Sequence, residues 1–305
     1  MLSMRTFILL CAVLLSSATI AAPRPNIVFI LADDLGYGDL SSYGASDIAT
    51  PNIDRLAAEG IRFTDYYTPA NTCSPTRAAL MTGRYPPRTG VNAVLGHDTV
   101  EGLPLDEITL AEMLRDAGYT TAIIGKWHLG QVEAFMPWQQ GFDYFFGPAT
   151  SNDDNNFYLY ESHGKQYQRF PERMDQTLLT QRYTEKALRF LDAQQGSTQP
   201  FFLYLPHTIA HIPLHPHPRF VGSSQRGLYG DVVQELDDSV AQVLAKLSEL
   251  GMDENTIVVF SSDNGAWRTM RDHGGSNGIL SGGKLTAFEG GHRVPLIMRW
   301  GQGFA

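Results

Sequence analysis

Short apolar, β-branched runs alternate with helical stretches along this chain of 305 residues, and this alternation constrains the fold more than any other feature. The strand-like runs lie at residues 26–31, 61–67, 120–124, 201–205, 256–260 and 294–300. Helical periodicity covers residues 109–117, 175–195 and 230–250. Strands separated by helices are typical of parallel sheets that are covered on both faces. We therefore predict an α/β fold with a mostly parallel central sheet flanked by helices.

Polar residues follow directly after four of these runs. They are Asp33 and Asp34, Lys126 and His128, His207 and His211, and Asp263 and Asn264. In parallel α/β sheets, ligands bind beyond the carboxyl ends of the strands. If the four strands are neighbours, their polar residues meet at one edge of the sheet. This arrangement indicates an enzyme.

Two of the polar pairs offer only oxygen atoms as metal ligands. They are Asp33 with Asp34 and Asp263 with Asn264. Taken singly, each pair has a structural explanation, because aspartates cap helices and turns and Asp-Asn-Gly is a common hairpin turn. Taken together at neighbouring strand ends, they indicate a metal site. Oxygen ligands favour Ca²⁺ over zinc, with Mg²⁺ as the second candidate.

The first 22 residues have the layout of a secretory signal peptide. A weakly basic start precedes an apolar run at residues 6–15, and small residues follow up to Ala22. About ten apolar residues are too few to span a bilayer, which takes ~20. We predict an exported protein, periplasmic or extracellular, without a membrane span. The excess of 32 acidic over 23 basic residues argues against nucleic-acid binding.

Loss of residues 1–22 would remove Cys11 and leave Cys73 as the only cysteine. An intermolecular disulfide, a catalytic role and an inert buried thiol are the three explanations. Pro75 suits the first turn of a helix, which would place Cys73 at a helix N-terminus, where the backbone favours an anion. Arg77 lies about one turn further on and could point at the same anion. This context favours a catalytic role.

Several motifs carry a resemblance to a known family. They are Asp33-Asp34, Cys73-Ser74-Pro75-Thr76-Arg77 with Thr82-Gly83-Arg84, Gly125-Lys126-Trp127-His128-Leu129-Gly130, Asp263-Asn264-Gly265, and Gly283-Lys284 with Glu289-Gly290-Gly291. In this order they resemble the signatures of the type I, formylglycine-dependent sulfatases, arylsulfatase-like members of the alkaline phosphatase superfamily. The resemblance implies a sulfatase catalytic domain over residues 23–305. Sulfatases usually continue with a small C-terminal domain, which we expect to be missing, so that the catalytic domain would be C-terminally truncated.

The resemblance also implies the cofactors. A formylglycine-generating maturation enzyme would oxidise Cys73 to formylglycine, whose hydrated form, a gem-diol, is the nucleophile. The divalent metal would polarise the sulfate group. Its implied ligands are Asp33, Asp34, Cys73, Asp263 and Asn264.

The remaining roles follow from the same resemblance. Arg77 and Lys126 would hold the formylglycine oxygens, and His128 would act as the base. Lys126, His211 and Lys284 would bind sulfate, and one of the last two would protonate the leaving oxygen. Ser151 would be a further contact to the substrate.

The implied reaction is hydrolysis of a sulfate ester to inorganic sulfate and an alcohol or phenol. The sequence leaves open whether the substrate is an aryl or a carbohydrate sulfate. Two other functions also remain open. A phosphonate or phosphate-ester hydrolase of the same superfamily would share the fold and the metal chemistry. A non-catalytic relative would keep only a calcium-dependent anion pocket. The full set of Cys73, Lys126, His128, His211 and Lys284 favours the sulfatase.

Overall fold

The computed structural model describes residues 24–154, 157–171 and 174–304, and the predicted signal peptide therefore lies outside the described residues. Nine strands in these ranges form one sheet. They are β1 (Asn26–Ala32), β2 (Ile61–Phe63), β3 (Thr120–Ile124), β4 (Tyr144–Pro148), β5 (Leu159–His163), β6 (Gln166–Arg169), β7 (Phe201–Pro206), β8 (Thr256–Ser262) and β9 (Leu296–Trp300). Their order across the sheet is β2-β9-β8-β1-β7-β3-β4-β5-β6.

Helices cover both faces of this sheet. They are α1 (Pro51–Ala58), α2 (Cys73–Thr82), α3 (Pro86–Thr89), α4 (Leu110–Asp116), α5 (Leu179–Ala193), α6 (Gly227–Glu249) and α7 (Glu289–His292). Helix α4 begins at the predicted capping box, in which the Thr109 hydroxyl accepts from the Glu112 amide at 3.0 Å and the Glu112 carboxylate accepts from the Thr109 amide at 2.9 Å. This exchange satisfies two amide groups that the first turn of a helix leaves free.

The five central strands, β8, β1, β7, β3 and β4, run parallel. This confirms the predicted α/β fold with a central parallel sheet. Antiparallel strands extend it on both sides, with β9 and β2 at one edge and β5 and β6 at the other. The final strand, predicted at residues 294–300, is therefore an antiparallel addition to the parallel core.

Side chains that alternate along the central strands divide the core into two layers. Val28 and Ile30 of β1 are fully buried in one layer, which also contains the apolar sides of α1, α5 and α6. Leu31 belongs to the other layer, with the apolar residues of α2 and α4. Because β1 is covered on both faces, nearly all of its residues are apolar.

Two predicted elements differ most clearly from the structure. Of the extended run at residues 61–67, only Ile61–Phe63 pairs as a strand, and Tyr67 makes a single bridge to Arg293. The helix predicted from residue 175 begins with a short 3₁₀ turn, because the Asp175 carboxylate accepts from the Thr177 amide at 3.0 Å before α5 starts. In the part of the chain that the structure describes, no helix is both long and apolar enough to cross a membrane.

Candidate active site

The four strands that carry the polar pairs, β8, β1, β7 and β3, are consecutive neighbours in the sheet. Their carboxyl ends therefore lie at one edge, and the polar residues that follow them converge there, as predicted. His207 is the exception. Its ring is fully buried against α6, where Nε2 lies 3.3 Å from the Ser239 hydroxyl.

A glycine positions the residues after β3. Gly125 has φ 129°, and a Cβ on it would lie 1.9 Å from the Pro206 carbonyl oxygen. The chain can pass this close to β7 only with glycine at this position. The Lys126 amide then donates to the same carbonyl at 2.8 Å, which directs the following side chains over the edge of the sheet.

Two site residues adopt a left-handed backbone conformation. They are Asp34, with φ 60°, and His128, with φ 59°. A non-glycine residue rarely adopts this conformation, and such positions are concentrated at functional sites.

Cys73 is the first residue of α2, as predicted, and its side chain is buried. Its thiol donates to Asp33 Oδ1 at 3.3 Å, and Lys284 Nζ lies 3.6 Å from the sulfur. Burial and the negative charge of Asp33 raise the pKa of the thiol well above its usual value. Unmodified Cys73 is therefore protonated and is a poor nucleophile, since the thiolate is the reactive form.

Three carboxylates and three basic side chains, hereafter the ion cluster, lie around Cys73. They are Asp33, Asp34, Asp263, Arg77, Lys126 and Lys284. All six are almost completely buried. The equal numbers of negative and positive charges explain how the fold tolerates them, because a buried charge is costly unless it is paired.

Each carboxylate of the ion cluster has its own basic partner. Asp263 accepts from Nε and Nη2 of Arg77 at 3.0 and 2.8 Å. Asp34 accepts from Lys284 Nζ at 2.8 Å, and Asp33 forms an ion pair with Lys126. Arg77 also donates to the Lys126 carbonyl at 2.8 Å, which ties α2 to the end of β3.

The pKa values of the ion cluster reflect these partners. Burial alone would raise the pKa of Asp33, but Lys126 and Arg77 hold it well below its usual value. Burial and the neighbouring charge of Asp33 raise the pKa of Asp263 to about 6. Asp33 therefore remains ionised more firmly than Asp263.

The oxygen atoms of this region fit a hard cation. Ligand atoms of Asp33, Asp34, Cys73 and Asp263 all lie within 4.8 Å of one another. Oδ1 of Asn264 is buried and has no hydrogen-bond partner among the described residues, while its Nδ2 donates to Asp34 at 2.8 Å. A buried acceptor without a donor is unusual, and a metal ion would satisfy it. Ca²⁺ and Mg²⁺ both prefer oxygen ligands such as those of Asp33, Asp34, Asp263 and Asn264.

The His128 ring has a defined proton arrangement. Nε2 lies 3.1 Å from the Leu95 carbonyl oxygen, which can only accept, so Nε2 carries the proton. Nδ1 is buried without a partner among the described residues. Burial and the charges of Lys126 and Arg77 lower the pKa of His128 well below its usual value. The ring is therefore neutral, with a free acceptor nitrogen.

His211 and Ser151 complete the predicted set. His211 Nδ1 donates to the Ile212 carbonyl at 2.6 Å, which leaves Nε2 3.6 Å from Asp34 Oδ2. Burial lowers the pKa of His211 despite this carboxylate. The Ser151 hydroxyl accepts from Lys126 Nζ at 3.0 Å. Both residues line the same cavity as Cys73.

This cavity has a volume of about 240 Å³ and includes residues that the sequence did not single out. They are Val94, Leu95, Gly96, His97, Asp153, Asp154, Trp267 and Leu285. All lie in loops, where neither periodicity nor a motif indicates which side chains face a ligand. Of these residues, Trp267 was the easiest to find from the sequence, because it lies only three residues after Asn264, a predicted metal ligand.

A family model for sulfatases matches residues 25–305. The chain belongs to the sulfatase family. N-acetylgalactosamine-6-sulfatase of Canis lupus familiaris is 43% identical over 97% of this chain and 60% of its own length. Arylsulfatase A of Bos taurus is 41% identical over 94% of this chain and 61% of its own. The chain thus spans about 60% of the length of these sulfatases.

A solved sulfatase structure shares the fold. PsFucS1 sulfatase from Pseudoalteromonas sp. superposes with a TM-score of 0.85 at 32% identity, and the match covers 92% of this chain and 62% of that one. This likeness agrees with the mixed sheet and the helices on both of its faces.

Proposed function

We propose that this sulfatase-family chain hydrolyses sulfate esters to inorganic sulfate and an alcohol or phenol. The observation that best supports this proposal is the surroundings of Cys73. The side chain lies at the N-terminus of α2, 3.3 Å from Asp33 and 3.6 Å from Lys284, on a cavity that His128 and His211 also line. An anionic ester entering this cavity would meet the Lys284 ammonium on its lining, and Lys126 Nζ lies 3.0 Å from the Ser151 hydroxyl of the same lining. Cations at these positions can stabilise the charge of a sulfuryl group during transfer.

Two groups would complete the site. Converted to formylglycine by a maturation enzyme, residue 73 would supply the hydrated aldehyde that accepts the sulfuryl group and later releases sulfate. A divalent cation, Ca²⁺ in the first place, would supply positive charge next to the sulfate oxygens. Asp33, Asp34, Asp263 and Asn264, together with residue 73, would hold it.

The basic side chains have distinct tasks in this proposal. Lys126 and Arg77 would hold the oxygens of residue 73. Lys126, Lys284 and His211 would bind the sulfate oxygens, with the Ser151 hydroxyl beside Lys126 at 3.0 Å. Their positions are fixed before the substrate arrives, because each is already bonded to a buried partner, and such preorganisation is effective in catalysis.

The two histidines would move protons. His128 is neutral and has a free Nδ1, so it is suited to accept a proton from residue 73. Burial keeps the pKa of His211 below its usual value, and a bound anion would raise it. His211 would therefore gain its proton when the substrate binds, and either His211 or Lys284 would give one to the leaving oxygen.

Our proposal includes the organisation of the chain and its substrate. Residues 1–22 would be a signal peptide and residues 23–305 the catalytic domain of an exported protein, periplasmic or extracellular. The substrate would be a carbohydrate or aryl sulfate, since the relatives include sulfatases named for N-acetylgalactosamine 6-sulfate and for aryl sulfates.

Hydrolysis can be tested on the full chain co-expressed with a formylglycine-generating enzyme. Sulfate release would be measured from N-acetylgalactosamine 6-sulfate and 4-nitrophenyl sulfate, with 4-nitrophenyl phosphate and a phenylphosphonate ester in parallel. We expect sulfate esters to be preferred and Cys73→Ala to lower kcat by at least ~10³-fold. A preference for the phosphorus esters would instead support the phosphonate or phosphate hydrolase.

Maturation can be measured separately on the tryptic peptide of residues 63–77. A known sulfatase expressed beside this chain is the control. Conversion would replace the thiol sulfur by an aldehyde oxygen and lighten the peptide. If the control were converted and Cys73 were not, the proposed nucleophile would be lost, and calcium-dependent anion binding without turnover would be the remaining function.

A further inference from the structure

Trp267 contacts two of the proposed sulfate-binding residues at once. Lys284 Nζ lies 4.2 Å from the centroid of its ring. The His211 ring lies 5.6 Å from it at an angle of 47°. A cation within about 6 Å of an indole face is attracted by the ring quadrupole, and Trp is the strongest of the aromatic partners.

The Lys284 ammonium is held on three sides. Asp34 Oδ2 lies at 2.8 Å, Cys73 Sγ at 3.6 Å and the Trp267 ring at 4.2 Å. Lysine has a long flexible side chain, so a single ion pair with Asp34 would leave several conformations open. The indole face limits these conformations and shields the ammonium from water.

The backbone beneath Trp267 is fixed independently of its side chain. The Lys284 amide donates to the Ala266 carbonyl at 3.0 Å, and the Ala266 amide donates to Oδ1 of Asn277 at 3.0 Å. Nδ2 of Asn277 donates to the Gly282 carbonyl at 2.9 Å. Asn277 is buried. A shortened side chain at position 267 would therefore leave both loops in place.

We propose that Trp267 is a positioning residue for sulfate binding, acting through Lys284 and His211. Its indole face fixes the two side chains over the cavity so that they meet the sulfate oxygens without rearrangement. The inference rests on the proposed function for the identity of the anion. The residue would affect the affinity for sulfate more than the stability of the fold, because Trp267 is partly exposed.

A series of side chains at position 267 tests this role. Trp267→Phe keeps an aromatic face, and Trp267→Leu keeps apolar volume without one. Inorganic sulfate is the probe, and its dissociation constant would be measured by calorimetry on the full chain. We expect sulfate binding to weaken about tenfold in Trp267→Leu and less in Trp267→Phe. The free energy of unfolding should change little, and Trp300→Leu, on β9 outside the cavity, should leave sulfate binding unchanged.

The outcomes separate this inference from the proposed function. Sulfate binding that is equal in the wild type, Trp267→Phe and Trp267→Leu would overturn the positioning role, whatever the enzymatic activity. Sulfate binding that weakens in the expected order, in a protein that cleaves no sulfate ester, would refute the proposed function and leave the positioning role standing. Wild-type protein that neither binds sulfate nor cleaves its esters would overturn both. If Trp267→Leu does not fold, Trp267→Gln replaces it as the variant without an aromatic face, and sulfate binding equal to that of the wild type in Trp267→Gln overturns the role.

Discussion

Two buried regions of this molecule contain carboxyl groups whose pKa values are shifted in opposite directions. In the ion cluster, Asp33 is fully buried and ionised, because Lys126 and Arg77 hold its pKa well below the usual value. Between α5 and α6, Glu235 is 4% exposed, and burial raises its pKa to about 7. The cation that counteracts this rise in pKa, Arg219, has a side chain that is 59% exposed and pairs with Asp238.

The difference shows that burial does not decide the charge of a carboxyl group in this protein. Asp33 has buried cations at contact distance, whereas Glu235 mainly has neutral donors, such as the His217 amide at 2.9 Å. A neutral site would not hold a divalent cation or order an anion. The ion cluster therefore supplies the charged groups that the proposed chemistry needs. Because each charged group has a partner of opposite charge, the folded protein tolerates their burial.

Loss of one buried cation should have the largest effect on the free energy of unfolding. Lys126→Met would leave Asp33 with less compensation, and we expect a loss of about 3–5 kcal/mol in the free energy of unfolding. Urea denaturation measures this loss. Sulfate-ester turnover should fall by at least ~10²-fold, since one of the proposed sulfate-binding cations is removed.

Lys246→Met is the matched control for that variant. Lys246 forms ion pairs with Asp192 and Glu249, which are more than half exposed. Its removal should lower the free energy of unfolding far less than the removal of Lys126, because ion pairs with exposed partners contribute little. Equal losses in the two variants would contradict the claim that pairing in the ion cluster stabilises the fold. In the double variant Lys126→Met/Asp33→Asn, part of the lost stability should return.

Ca²⁺ should stabilise the ion cluster further. A cation that binds only the folded state, present at a thousandfold excess over its Kd, adds about 4 kcal/mol to the free energy of unfolding. Thermal unfolding in Ca²⁺ and in excess chelator measures this gain. Asn264→Ala removes the buried Oδ1 and should reduce the gain, whereas Asp116→Asn, an exposed acidic residue on α4, should not. The same Ca²⁺ effect in all three proteins would place the ion elsewhere.

The residues around the proposed metal site were predictable because each follows a strand directly. The runs at residues 26–31 and 256–260 predict strands, and Asp33, Asp34, Asp263 and Asn264 come next. Any parallel order that makes the two strands neighbours brings these residues together. Which basic residue pairs with which carboxylate was not predictable. The Lys126–Asp33 pair depends on β7 lying between β1 and β3, and the alternation of strands and helices does not specify that order.

Other features depend on the fold in ways that the sequence does not show. His207 and His211 both follow the same strand, yet His207 packs against α6 and His211 faces the cavity. The direction of a loop side chain is set by tertiary packing and not by a local period. Strands β5 and β6 were missed because they are short, polar and at the edge of the sheet, where burial imposes no apolar pattern.

The pH dependence of the free energy of unfolding should show that the pKa of Glu235 is raised in the folded protein. Its pKa is higher in the folded than in the unfolded chain, so its contribution to stability is complete below about pH 4.5 and is lost as the pH rises through about 7. Glu235→Gln stays neutral at every pH. We expect this variant to match the wild type near pH 4 and to be more stable at pH 8 by roughly 3 kcal/mol. Urea denaturation at both pH values measures the difference.

Glu185→Gln is the control for Glu235→Gln. Glu185 lines the same cavity between α5 and α6, but it is exposed. Because the Glu185 side chain is exposed, the substitution should change the free energy of unfolding little at either pH. If the Glu235→Gln variant were no more stable than the wild type at pH 8, Glu235 would have to be ionised in the folded protein without a large cost. Its charge state would then resemble that of Asp33.

The smallest effect should follow from removing the exposed cation near Glu235. Arg219 pairs with Asp238 at the surface, where water and salt screen both charges. Arg219→Gln should therefore lower the free energy of unfolding by less than about 1 kcal/mol, and the loss should shrink further at high salt. Urea denaturation at pH 7 in low and high salt measures both values. A loss as large as that of Lys126→Met would show that Arg219 compensates Glu235 as the buried cations compensate Asp33. The difference in pKa between Asp33 and Glu235 would then depend on the number of neighbouring cations and not on whether those cations are buried.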